Sequence, residues 1–162
     1  MNLILDTKIL ALLFVANGAP VIAKDLLQHR FKTPVDGGVR FLDGERWLGD
    51  SKTLRGLLFS VLCTSLIASL IGIGWIIGLL VGLGAMLGDM TSSFIKRRMK
   101  IPASGQAMGL DQLPEALFPL AACWGRFSLT LADVTILAAL FFASEYLFSK
   151  LLLRLHIRDR PY

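Results

Sequence analysis

The chain has 162 residues, of which 54% are hydrophobic and only 18% charged, and its mean hydropathy is +0.63. A soluble domain carries about 25% charge and 45–50% apolar residues; here the apolar excess is gathered into long blocks, which excludes an ordinary cytosolic enzyme, a disordered chain and a disulfide scaffold. The net charge of +5 could suit nucleic acid, but the basic residues alternate with apolar blocks, so they read as topology signals and phosphate ligands and no nucleic-acid partner is expected.

The first apolar block, about 3–23, is long enough for one membrane crossing, which needs about 20 residues. Asp6 and Lys8 at its start and Asn17-Gly18-Ala19-Pro20 near its end argue for a retained span over a cleaved signal. From Gly56 to Gly88 no charge occurs, a length that suits two short spans, about 56–72 and 74–92, with a tight turn at Ile71-Gly72-Ile73-Gly74. Gly56, Ser60, Thr64, Ala68 and Gly72 recur every four residues, as do Gly74, Gly78 and Gly82. Such small-residue faces let membrane helices approach closely. They suit packing within one chain or between copies, so a homo-oligomer is one expectation. Gly78, Gly82 and Gly84 could instead leave room beside the third span for lipid tails. Cys63 and Cys123 lie inside apolar blocks and read as packing residues.

The last block is broken by Arg126 and by Ser128 to Asp133. Thr130 followed by Asp133 resembles a capping box opening a new helix, which places spans at about 113–127 and 131–153. The expected fold is therefore all-α: one polytopic membrane domain over 1–162 with five transmembrane helices. Loops 24–55 and 95–111 then share one side with the C-terminus, and every basic residue except Lys8 and Arg126 lies there. That asymmetry sets the N-terminus outside and the C-terminus in the cytoplasm.

The first of these loops carries Asp36, Asp43 and Asp50 at a spacing of seven, each beside glycine, as in turns. Gly49-Asp50-Ser51-Lys52-Thr53 fails as a P-loop because no Gly directly precedes the Lys. Lys52, Thr53 and Arg55 nevertheless stand as donors suited to a polyphosphate where the chain enters the membrane. The second loop is flanked by Asp89, which ends an uncharged segment, and by Asp111, which opens the next span. A carboxylate at bilayer depth costs about 2.5–3.5 kcal/mol on insertion scales, so both need cations. Lys96, Arg97 and Arg98 could neutralise them; alternatively both bind Mg²⁺, a hard ion that takes oxygen ligands and keeps positions open for phosphate. If the helix continues past Asp89, then Asp89, Ser93 and Lys96 or Arg97 fall on one stripe, and metal plus basic groups suits displacement at phosphorus.

Gly88-Asp89, Ser93, Lys96-Arg97 and Gly109-Leu110-Asp111, with the Asn17 to Pro20 break, Pro34 to Gly38, Asp43-Gly44 and Gly49 to Gly56, resemble the CTP:phosphatidate cytidylyltransferase superfamily. Over nearly the whole chain the pattern is similar to its short branch, the CDP-archaeol synthase family. The larger branch carries a histidine in the run before its second aspartate; Ser104-Gly105-Gln106-Ala107-Met108-Gly109 has none. The resemblance implies a membrane enzyme of phospholipid biosynthesis that joins CTP to a glycerol-ether lipid phosphate, with Mg²⁺ and release of pyrophosphate. Its site would face the cytoplasm from the cell membrane. It implies Asp89 and Asp111 as metal ligands and catalytic residues, with Lys96 and Arg97. Asn17, Lys52, Thr53, Arg55, Ser93 and Arg98 would bind substrate. Phosphatidate is the alternative acceptor. Outside this class, the rivals are a small ion or solute transporter using both aspartates and a non-catalytic membrane subunit that binds anionic headgroups.

Overall fold

The computed structural model describes residues 3–102, 105, 107 and 109–154, with side chains as far as residue 148. Five helices follow in order: α1 Leu3–Leu27, α2 Leu54–Leu70, α3 Trp75–Arg98, α4 Gln112–Phe127 and α5 Leu131–Arg154. Each coincides with a predicted span, with two extensions. α1 runs four residues beyond 23, and α3 continues past 92 through the whole Lys96-Arg97-Arg98 trio. The trio is therefore helical, and the second loop begins at Met99, not at 95. Among the described residues, strand geometry is confined to two isolated bridges, Pro34 with Thr53 and Arg40 with Arg46. By length and composition α1, α3 and Leu131–Phe148 of α5 can cross a membrane, while α2 is a shorter apolar helix and α4 has 16 residues.

α2 shows why this is a membrane fold. Its small face (Gly56, Ser60, Thr64 and Ala68) is buried, and its leucine face (Leu58, Leu62, Leu66 and Leu70) is exposed. A soluble helix reverses this pattern; in lipid the leucines meet acyl chains and the small residues admit a neighbouring backbone. The buried hydroxyls are satisfied: Ser60 Oγ donates to Ala16 O at 2.7 Å and Thr64 Oγ1 to Ser60 O at 2.6 Å. A Cβ at Gly78 would lie 2.5 Å from Ser65 Cα on α2, and one at Gly84 would lie 2.7 Å from Pro119 Cα on α4. These glycines therefore seat neighbouring helices. The lipid-sized room expected beside Gly78, Gly82 and Gly84 is filled by protein, and of the two uses expected for the small faces, packing within the chain is the one seen at Gly78, Gly82 and Gly84.

α1 touches all four other helices. It contributes Ile9, Leu12, Leu13 and Ala16 to a core that includes Leu120, Leu137 and Phe141. Ile71, Gly72 and Gly74 form the expected tight turn, with positive φ at both glycines. Lys8 Nζ donates to Ile71 O at 2.7 Å, and Asp6 and Asp133 line one pocket. The start of α1, this turn and the start of α5 thus share one end of the bundle. The reciprocal bonds Thr130 N to Asp133 Oδ2 (3.0 Å) and Asp133 N to Thr130 Oγ1 (3.2 Å) form the expected capping box. The segment 28–53 and the described residues between 99 and 111 lie at the opposite end.

Candidate active site

The loop after α1 returns to its origin and so delivers Lys52. Val35 N donates to Lys52 O at 2.8 Å and Leu54 N to Thr33 O at 3.0 Å. The loop is organised on Asp36, whose side chain is only 1% exposed. It pairs with Arg46 at 2.6 Å and accepts from Leu48 N, Gly49 N and Gly38 N at 3.0–3.1 Å. Burial alone would raise its pKa, but the Arg46 guanidinium and the three N–H groups outweigh burial and hold it well below the usual carboxylate range. Asp43 and Asp50 are structural too. Asp43 accepts from Glu45 N at 3.1 Å and pairs with Arg98 at 2.9 Å, and Asp50 pairs with Arg46 at 2.9 Å.

From this platform Lys52 reaches Asp89 Oδ1 on α3 and forms an ion pair with it. Glu115, on the first turn of α4, brings its carboxyl close to that of Asp89. Sequence reasoning assigned Glu115 no role; its place one turn after Asp111 was the available signal. The contact exists because α3 and α4 touch here. A Cβ on Gly88 would collide with the carbonyl of Pro114 and come within 2.8 Å of Glu115 N. One end further along, Lys96 Nζ lies 2.7 Å from Asp111 Oδ1 and donates to Gly105 O at 3.2 Å. Asp111 Oδ2 accepts from Ala107 N at 3.2 Å. The lysine contact is off hydrogen-bond geometry, so Asp111 Oδ1 is buried with an ion pair but no hydrogen bond. Arg97 is 7% exposed, and its Nε has no hydrogen-bond partner. Ser93 is buried beside it in sequence register with Asp89, and Ser92 Oγ donates to Asp89 O at 2.9 Å.

The other expected ligands are engaged by protein. Arg98 donates to Arg46 O at 2.8 Å, pairs with Asp43 and lies 4.8–4.9 Å from the Phe41 and Phe94 ring centroids. It fastens the first loop to α3. Arg55, nearly buried, donates to Gln28 O and Arg30 O at 2.7 Å. Thr53 caps α2 by accepting from Gly56 N. Asn17 donates to Leu13 O on its own helix at 3.0 Å. The cations aimed at the α3–α4 carboxylates are thus Lys52 and Lys96, with Arg97 on the same helix end.

Among the described residues no three carboxylate, imidazole or thiol groups converge as a complete metal cage. The donor set still fits Mg²⁺. This ion keeps several waters and is held by one or two carboxylates plus substrate phosphates. Asp111 Oδ1, buried without a hydrogen bond, has a lone pair to offer.

Lipid-facing leucines around a bundle whose one end gathers carboxylates, lysines and a buried arginine define a membrane-embedded enzyme that handles phosphates. The family model described as CarS-like CDP-archaeol synthase matches residues 2–74 and 69–162. A CDP-archaeol synthase of Sulfurisphaera tokodaii is 35% identical over 154 residues, covering 91% of this chain and 89% of the relative. One from Saccharolobus islandicus is 41% identical over 118 residues, covering 69% and 67%. A solved structure of an intramembrane enzyme for archaeal membrane lipids biosynthesis superposes with a TM-score of 0.75 at 32% identity, covering 85% of this chain and 88% of that one. The chain belongs to the CDP-archaeol synthase family and is a CTP-dependent cytidylyltransferase.

Proposed function

We propose that this protein makes CDP-archaeol from CTP and an archaeal-type glycerol-ether lipid phosphate, releasing pyrophosphate. One observation carries the reading: α3 and α4 face each other with Asp89 beside Lys52 and Asp111 beside Lys96, all at the basic end of a membrane bundle. An oxygen of the lipid phosphate attacks the α-phosphorus of CTP, and the bond to the β-phosphate bridge breaks. No covalent enzyme intermediate is needed, because the attacking phosphate is already an anion. The protein must bring two anions into line and offset their repulsion.

Lys52, Lys96 and Arg97 supply positive charge toward the triphosphate and the incoming phosphate, and Ser93 assists at a phosphate oxygen. Arg98, Arg55 and Thr53 act one step back: they fix the first loop and the start of α2, so that Lys52 points across to α3. Asp89 and Asp111 would hold Mg²⁺, which when bound neutralises non-bridging oxygens. All five helices cross the cell membrane, with the N-terminus outside and the site on the cytoplasmic side. The basic residues clustered at that end support this orientation. The lipid arrives laterally and CTP from water. The protein acts as a site built within one chain.

The test is purified protein with labelled CTP, Mg²⁺ and either an ether lipid phosphate or phosphatidate. CDP-lipid and pyrophosphate in equal amounts from the ether substrate are expected. Product from phosphatidate alone would transfer the activity to CDP-diacylglycerol synthesis, and no product from either would overturn the proposal.

A further inference from the structure

We propose that Lys52 and a divalent cation compete for Asp89, and that their exchange couples metal binding to capture of the nucleotide phosphates. The inference rests on the reading of Asp89 as a metal ligand given above. Lys52 is held at its backbone: Lys52 O accepts from Val35 N, and the neighbouring Thr53 is bridged to Pro34 and caps α2. Its side chain spans to Asp89 Oδ1. The two side chains are only 19% and 20% exposed, so water screens the pair less than a surface ion pair. Glu115, on α4, lies near the same carboxyl. A metal ion that coordinates Asp89 must take the oxygen the ammonium holds, or sit against a like charge.

The lysine stem has four rotatable bonds, so the ammonium can leave while its Cα stays fixed. A released ammonium brings three donors and a compact charge to any phosphate lying within its reach. Lys96 forms an ion pair with Asp111 nearby, without the hydrogen bond that Lys52 makes to Asp89. Metal and nucleotide then tighten each other's binding through the lysine, and by linkage the effect is reciprocal.

The experiment uses the full chain in detergent and reads Mn²⁺ binding alone by electron paramagnetic resonance, then CTP binding with Mn²⁺ present. Lys52→Met is expected to bind Mn²⁺ alone about tenfold more tightly, the scale of a lost charge-assisted hydrogen bond, and Mn²⁺–CTP about tenfold more weakly. Lys52→Arg, which keeps a cation on Asp89, stays near the wild type for Mn²⁺. Arg97→Met, which removes an equal charge with no ion pair to Asp89, shifts Mn²⁺ binding less. Asp89→Asn abolishes Mn²⁺ binding. Lys52→Gln carries the same expectation should Lys52→Met fold poorly. Unchanged or weaker Mn²⁺ affinity in Lys52→Met, or an equal gain in Arg97→Met, would overturn the exchange while Asp89→Asn still upholds the metal site. Mn²⁺ binding that survives in Asp89→Asn would overturn the metal reading itself, and the exchange with it.

Discussion

Gly88 has the strictest steric requirement near the site, because the Pro114 carbonyl occupies the space where a Cβ would go. Gly88→Ala should push α3 from α4 and separate Asp89 from Glu115. We expect a loss of about 1–3 kcal/mol, the range for overpacking, with a clear fall in activity. Gly125→Ala, which meets nothing within 4 Å, should stay within about 0.5 kcal/mol; denaturant unfolding in detergent compares them. Glu115→Leu should lower kcat by about tenfold, as loss of a supporting partner does, with little change in melting temperature. Glu115→Gln keeps a polar group of the same size beside Asp89 and should retain more activity. Wild-type rates in both would remove Glu115 from the site. At this scale the sequence was legible only in part. Asp89, Asp111 and the Lys96–Arg97 pair stood out because charges are rare beside apolar spans. Glu115 did not, since its meaning depends on a contact with α3 that no local pattern encodes. The Lys52–Asp89 pair joins residues 37 apart in the chain, and only the fold brings them together.

Among the elements, the first loop was the least legible. Turns were expected at Asp36-Gly37 and Asp43-Gly44, and the turns exist, but Asp36 is a buried anchor and Arg98 a fastener gripped by Asp43, Phe41 and Phe94. Side-chain knots of this kind need geometry that spacing does not supply. The anchor carries a pH prediction. The Asp36 carboxyl is held below its unfolded value of about 3.8, so its stabilisation is complete above about pH 4 and is lost as pH falls further and the carboxylate takes up its proton. Hydrogen-exchange protection factors of residues 33–53, taken relative to the intrinsic amide rate at each pH, should therefore fall below pH 4 and stay flat between pH 5 and 8. Asp36→Asn should show the low protection at every pH, at a cost of about 2–3 kcal/mol for an orphaned, partly exposed Arg46. Protection that is independent of pH down to the acid range in the wild type would contradict the anchor. Helix positions, by contrast, were readable almost throughout. Glycine pairs, the Thr130–Asp133 box and uncharged runs are local signals, and the helices obey them.

For the whole molecule, α3 packs most closely, against α2 and α4, α1 touches every other helix, and the loops between helices sort to two ends. That sorting makes the five-crossing topology testable. Single cysteines at Leu42, which is 97% exposed, and at Leu131, which is 72% exposed, placed in a Cys63→Ala, Cys123→Ala background, should react with an impermeant thiol reagent from opposite sides of sealed vesicles. Labelling from the same side would contradict it. The most direct test of the central claim is the position of the metal. Crystals of the full chain with CTP and Mn²⁺ should give an anomalous peak at about 2.1 Å from a carboxylate oxygen of Asp89, with Asp111 sharing the same ion or a second one bound to the triphosphate. A peak on the nucleotide that touches neither aspartate would contradict it.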